Sequence, residues 1–227
     1  MEFEFENHSF DSPYVAFAWR TQSDAQGGSF MSTAATQCEM VITRYRGALT
    51  VHVRGPETKA SPAPIPKEAE FLGITFKLGT FMPHLPVPNL VNGDALLPLT
   101  AGERAFWLNG AAWEVPTFQN ADVFVNRLVR QGLVARDPVV DAALQGLWPQ
   151  VSPRSLQRRF LRATGLTHGT VVQIERARQA LTLLQTGRSI LDVVEQAGYA
   201  DQPHLTRALK YFVGYTPAQL VSVARTG

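Results

Sequence analysis

Cysteine is almost missing from this chain: Cys38 is the only one in 227 residues. No internal disulfide can form, so folding must rest on buried apolar surface, and a reducing, cytoplasmic setting is expected. No apolar run is long enough to span a membrane. The opening MEFEFENHSF carries acids where a signal peptide needs basic residues, so no membrane association is expected. Histidine is also scarce. His8, His52 and His84 are widely spaced in the first half and make no H-x-H pair, which argues against a histidine–carboxylate metal set. No metal, no cofactor and no enzymatic activity are therefore expected. Cys38 lacks a Pro-Cys-His context and reads as a small buried hydrophobe rather than a methyl acceptor or reactive thiol.

The most telling shortage is local: no acidic residue occurs between Asp141 and Glu175. The net charge of +2 hides a split. Residues 1–117 carry 8 Lys and Arg against 12 Asp and Glu, whereas residues 118–227 carry 13 against 7. A basic second half joined to an acidic first half suits a nucleic-acid-binding domain attached to one with another task. At this length two modest domains fit, with the division expected at 117/118.

The basic half contains a stretch, Ser189 to Pro217, that reads as two short helices joined by a tight turn. Ser189 is an N-cap with Asp192 three residues on, a variant capping box. Ile190, Val193, Val194 and Ala197 recur at helical spacing, and Gly198 ends that helix. Asp201 caps the next, with Pro203 in the first turn. Leu205, Ala208, Leu209 and Phe212 form its inward face; Gln202, Thr206, Arg207 and Lys210 fall on the other side. Gly214 stops it, and Thr216-Pro217 opens a further helix. Arg207 has the donor fork for guanine and Gln202 the amide for adenine. Thr206 suits a thymine methyl or a phosphate, and Lys210 suits a phosphate. Taken alone, such a helix is more often an ordinary amphipathic helix with a solvated face.

A second copy changes that balance. Ser152-Pro153 again supplies an N-cap and a first-turn proline, followed by RSLQRRFLRATG. Leu156, Phe160 and Ala163 make the inward seam. Arg154, Gln157 and Arg158 point elsewhere, and Arg159 and Arg162 add charge that no acid on the helix balances. Positive charge of that kind is best explained by phosphate. Between the copies, Thr170 to Gln185 carries a stripe of Val171, Ile174, Ala177, Leu181 and Leu184. At ~1.5 Å per residue this helix spans roughly 24 Å. Such a connector can set two reading helices about one DNA turn apart, roughly 34 Å. Upstream, Asn120–Leu133 and Asp137–Leu147 read as two more helices, the second being the scaffold of the first helix-turn-helix. Seven helices are expected after about residue 119.

These residues resemble the DNA-binding domain of the AraC/XylS family of bacterial transcription regulators. The resemblance covers about Asp137 to Leu220. It rests on S-x-R-x-L-Q-R-R-F (Ser152–Phe160), Gly165, R-x-x-x-A-x-x-L-L (Arg176–Leu184) and Ser189-Ile190. It continues in A-G-Y-x-D-Q-x-H-L-x-R (Ala197–Arg207), Phe212 and G-x-T-P (Gly214–Pro217). It implies an all-α domain of two helix-turn-helix units joined by a linker helix, double-stranded DNA as partner, and RNA polymerase as a further one. By position it implies base-facing Arg154, Gln157 and Arg158, then Gln202, Thr206 and Arg207. Two features depart from the family pattern. GLWPQV before Ser152 is not its usual turn, which predicts a tilted or shortened first unit. Pro203 stands where a polar side chain is common, which narrows what the second unit reads.

The first half changes to strands. Tyr14–Arg20, Glu39–Tyr45, Ala48–Arg54 and Phe71–Lys77 are β-branched or aromatic and bounded by Gly or Pro. Arg46-Gly47 signals a hairpin. Phe3 and Phe5 alternate with Glu2, Glu4 and Glu6 as an edge strand, and Pro56–Pro66 and Pro83–Pro88 read as loops. The fold class expected is thus α+β in two domains, a small β-sandwich or barrel followed by seven helices. The resemblance implies a cupin-like domain that binds a small-molecule effector or makes a homodimer. It is carried by RGPETKA (Arg54–Ala60), LGITFKLGTFMPHLP (Leu72–Pro86) and the Trp107 and Trp113 region. Trp19, Tyr45, Phe76, Phe81, Trp107 and Trp113 are the aromatic candidates to line an effector pocket, or simply to fill the core. The alternatives are a constitutive regulator whose first domain only dimerises, and a cupin-type metalloenzyme with an accessory DNA-binding domain.

Overall fold

Alternation builds the sheet. In Ala48–Arg54 (β5) the side chains of Leu49, Val51 and Val53 are buried and their neighbours are not, as a half-covered strand requires. It pairs antiparallel with Glu39–Tyr45 (β4) through a two-residue turn in which Arg46 and Gly47 have φ of 51° and 80°. Both values are positive, the conformation whose twist suits a tight hairpin, and glycine meets it without steric cost. The computed structural model describes residues 5–147 and 150–224. With Glu6–Ser9 (β1), Val15–Gln22 (β2), Ala69–Phe76 (β7) and Asp94–Leu97 (β9), these strands form an antiparallel sheet of order β1-β2-β7-β4-β5-β9. β1 is an exposed edge strand, and its Glu6 pairs with Arg20. Glu2, Phe3 and Glu4 of the expected edge strand lie outside the described residues.

Three two-stranded ribbons complete the strand-rich half: Gly28–Ser32 (β3) with Ser61–Ile65 (β6), Thr80–Phe81 (β8) with Ala135–Arg136 (β12), and Ala105–Leu108 (β10) with Ala111–Glu114 (β11). β6 corrects the reading of Pro56–Pro66 as a loop. Its Pro62 and Pro64 alternate on the exposed side, and a two-stranded ribbon has a free edge that tolerates a missing N–H. The second proline stretch leads into one 3-10 turn at Val87–Asn89.

Seven α-helices follow among the described residues, as expected: Ala121–Arg130 (α1), Pro138–Leu144 (α2), Pro153–Thr164 (α3), His168–Gln185 (α4), Ile190–Gln196 (α5), Gln202–Phe212 (α6) and Pro217–Ala224 (α7). α2 stops three residues short of Leu147, and α4 begins two residues earlier than its stripe suggested. Trp148 and Pro149 of the unusual turn lie outside the described residues.

The chain divides into two compact units. One holds the chain up to Gly28, Gln37–Pro56 and Pro64–Thr167; the other holds Ser29–Thr36, Glu57–Ala63 and the chain from His168 onward. In this division α1, α2 and α3 fall with the sheet. In the first, Phe124 of α1 meets Phe106 and Trp113 edge-on, at 6.1 and 6.3 Å between ring centres. Arg136 fixes α2 to the strands, pairing with Asp141 and donating to the carbonyls of Pro13 and Leu78. In the second unit one core is formed by Ala180 and Leu184 of α4, Val193 of α5, Leu205 and Leu209 of α6, and Tyr199 and Val213. Each such fully buried leucine contributes about 1.5–3 kcal/mol of hydrophobic stabilisation.

Candidate nucleic-acid interface

The first helix-turn-helix is built around Asp137. Its carboxylate caps α2 by accepting from the Val139 amide at 3.0 Å, and it takes Arg159 Nη1 on both oxygens at 3.1 Å. Ser152 caps α3 through the Ser155 amide, and Phe160, Ala163 and Thr164 face inward. Arg162 lies over the Phe81 ring, its guanidinium carbon 5.6 Å from the centroid. Two of the four arginines of α3 are thus framed by the protein itself. This corrects the view that the charge of α3 is unbalanced. The acid comes from Asp137, outside the helix but beside it in space.

Arg154, Gln157 and Arg158 differ. All three are exposed, and they line an open hollow of about 470 Å³ with Ser152, Ser155 and Leu161. No hydrogen bond or ion pair engages their side chains among the described residues. They occupy one side of the helix near its N-terminus, where a reading helix presents its base contacts.

In the second unit Ser189 caps α5 through the Asp192 amide at 3.2 Å, and Asp201 caps α6 through the His204 amide at 2.6 Å. Leu205 and Leu209 turn inward while Gln202 and Arg207 stand exposed, their side chains without internal partners. Thr206 and Lys210, also expected to face DNA, are occupied. The Thr206 hydroxyl donates back to the Gln202 carbonyl at 2.9 Å, leaving its methyl outward, and Lys210 Nζ donates to the Gly214 carbonyl at 3.1 Å. Tyr199, at the turn, was not singled out from the sequence. It meets His204 edge-on, carries Arg176 over its ring, and has a buried hydroxyl with no partner among the described residues. Burial pushes its ionisation upward, partly opposed by the Arg176 charge.

The six aromatic candidates of the first half do not converge. Phe76 and Phe81 line a small apolar cavity with Cys38, Met82 and Val87. Burial, with the nearby Glu39 charge, pushes the Cys38 thiol up to about 12. Trp19 lies across Gly73 of the neighbouring strand and meets Phe5. Tyr45 stacks under Arg46, Trp113 packs on α1, and Trp107 is exposed. A separate groove of about 820 Å³ is lined by Phe5, Arg20, Ile42, Arg44, Phe71 and Phe118 among others, and by none of the six. The three histidines are apart: His8 meets Phe10 edge-on, His52 pairs with Asp94, and burial pushes the ionisation of His84 downward.

Paired capped helices with open basic faces define a DNA-binding transcription regulator, and comparison with known proteins agrees. Residues 150–222 match the family model described as "Helix-turn-helix domain". The matched residues take in α3 to α6 and α7 as far as residue 222. No curated protein matches the chain. Two solved structures are similar over nearly its whole length. One is ToxT from Vibrio cholerae, with 13% identity, TM-score 0.43 and 98% of each chain covered. The other is ToxT from Vibrio cholerae O395, with 11% identity, TM-score 0.42, and 97% of this chain and 98% of that one covered. At those values neither bears on what this chain binds. No helix among the described residues is long and apolar enough to cross a membrane.

Proposed function

We propose that the regulator reads two adjacent major-groove segments, one through Arg154, Gln157 and Arg158 of α3 and the other through Gln202, Arg207 and the Thr206 methyl of α6. The observation that carries this reading is that these side chains, save Thr206, are exposed and unengaged, whereas Phe160 and Ala163 of α3 and Leu205 and Leu209 of α6 are buried. Arg207 and Arg154 supply guanidinium forks for guanine, and the two glutamines supply amides for adenine. Arg159 and Arg162 act by holding α3 in place, and Lys210 by capping the end of α6. Residues 118–227 are the DNA-reading half in function, though α1–α3 are housed with the sheet.

The first half senses a small-molecule effector. The groove lined by Phe5, Arg20 and Phe118 falls within the roughly 300–1,000 Å³ of small-molecule sites, which supports it over the scattered aromatics. A purely dimerising role is the alternative, and the family resemblance implies action with RNA polymerase in the cytoplasm. Selection of bound sequences from a random duplex pool tests the central reading. The expected result is a bipartite motif within roughly 17–20 base pairs, whose binding weakens steeply with salt. A single short motif, or no enrichment, overturns it.

A further inference from the structure

We infer that two segments of the strand-rich half, Ser29–Thr36 and Glu57–Ala63, form a clamp that positions the second reading helix, making Ala34, Thr36 and Ala60 positioning residues for DNA recognition. This rests on the assignment of α6 as a reader.

The last carbonyls of a helix have no partner within it and must find one elsewhere. In α6 the Leu209 carbonyl is taken by the amides of Val213 and Gly214, at 2.8 and 3.0 Å. The next exposed ends are taken from far away in sequence: the Ala60 amide donates to the Tyr211 carbonyl at 2.9 Å and the Ala34 amide to the Phe212 carbonyl at 2.7 Å. The two segments are tied to each other. Ala35 and Glu57 exchange both backbone hydrogen bonds at 2.9 Å, and the Ser32 hydroxyl donates to Glu57 Oε2 at 2.7 Å. Gly214 fits against them so closely that a Cβ there would lie 2.5 Å from Met31 Cγ, and its φ of +89° already favours glycine. A further anchor is Thr36, buried, whose hydroxyl donates to Glu175 Oε1 of α4 at 2.5 Å. α4 supplies Ala180 and Leu184 to the core on which α6 rests.

The clamp thus holds α6 by its C-terminal end, while Gln202 stands at the N-terminal end and Arg207 midway along the helix. The 11 residues of α6 span about 16 Å, so a tilt of about 10° at the clamped end moves the N-terminal end by about 3 Å. That displacement is as long as a hydrogen bond and removes base contacts without unfolding anything.

The test uses the full chain and three duplexes: the selected bipartite site, the same site with the α6 segment scrambled, and the same with the α3 segment scrambled. Ala60→Pro deletes the donor to Tyr211, and Ala60→Gly keeps it. Loss of one such bond predicts about 3- to 10-fold weaker binding by Ala60→Pro to the full site and to the α3-scrambled site. On the α6-scrambled site it should bind as the parent does, and Ala60→Gly should match the parent on all three. Thr36→Val, which keeps shape and loses the bond to Glu175, is expected to show the same pattern and carries the test if Ala60→Pro does not fold. Equal losses on all three duplexes, or no loss on any, overturn the clamp. Arg207→Ala run in parallel separates the two ideas. If it leaves binding to the full site intact, α6 is not a reader; if it weakens binding while Ala60→Pro and Thr36→Val do not, the clamp alone fails.

Discussion

Arg159 offers a direct contest between a DNA contact and an internal brace. Replacing it with Ala leaves the Asp137 carboxylate, whose residue is only 9% exposed, capping α2 with its counter-charge gone. A hydrogen bond to a charged group is worth about 1.5–3 kcal/mol, but the Arg159 side chain is 44% exposed and solvent screens it. The expected cost is therefore about 1–2 kcal/mol of local stability at the α2–α3 junction. Amide hydrogen exchange of α2 and α3 reads that cost where it falls, since local opening is what it measures. Asp137→Asn and the double variant close a cycle whose coupling should be about 1 kcal/mol. The loss of DNA affinity should follow from this loosening and be confined to the α3 segment of the site. If exchange in α2 and α3 is unchanged in Arg159→Ala while affinity falls tenfold or more for every duplex, Arg159 is a phosphate contact and the brace is refuted.

Arg207→Ala should cost about 1–3 kcal/mol on the selected site and relax preference at one base, as read by competition with single-base variants; uniform weakening across sequences would make it a phosphate contact. The Cys38 thiol, raised from 9.0 to about 12, stays protonated when folded, whereas the unfolded thiol ionises. Stability should therefore fall as pH rises above 9.0 towards 12, and a thiol reagent at pH 8 should label the unfolded protein but not the folded one. Gly73→Ala would place a Cβ 2.0 Å from the Trp19 indole and should destabilise by about 1–3 kcal/mol in thermal unfolding. Trp19→Leu in that background should recover part of the loss; none recovered would mean the strain lies elsewhere.

Local signals were read well from the sequence because local physics produces them. Ser152, Ser189 and Asp201 cap the helices expected of them, and Leu205, Leu209, Val193, Phe160 and Ile174 turn inward as their spacing dictates. The Arg46-Gly47 hairpin and strands β4 and β5 fall at their expected bounds. What escaped was tertiary. Arg159 reads as an uncompensated charge because its acid is 22 residues away, and Arg162 because Phe81 stands on the distant strand β8. Lys210 and Thr206 lie on the outward face as expected, but nothing in a helical wheel shows that each already has an acceptor. The spread of the aromatics has a similar reason: composition gives their number, while strand order decides which of them meet, as Phe76 and Phe81 do.

The clamp also has a consequence for how the molecule is made. Thr36 and its acceptor Glu175 are 139 residues apart in the chain, and the amides of Ala34 and Ala60 wait for carbonyls near residue 212. On the ribosome, the strand-rich half emerges with these two segments lacking their helical counterpart until the chain has been synthesised past residue 212. Closure of such distant contacts is entropically slow. The second helix-turn-helix should accordingly be the last part of the protein to gain its final protection during refolding. Nascent chains arrested before residue 212 should hold Ser29–Thr36 and Glu57–Ala63 open to proteases, and release of the full-length chain should close them.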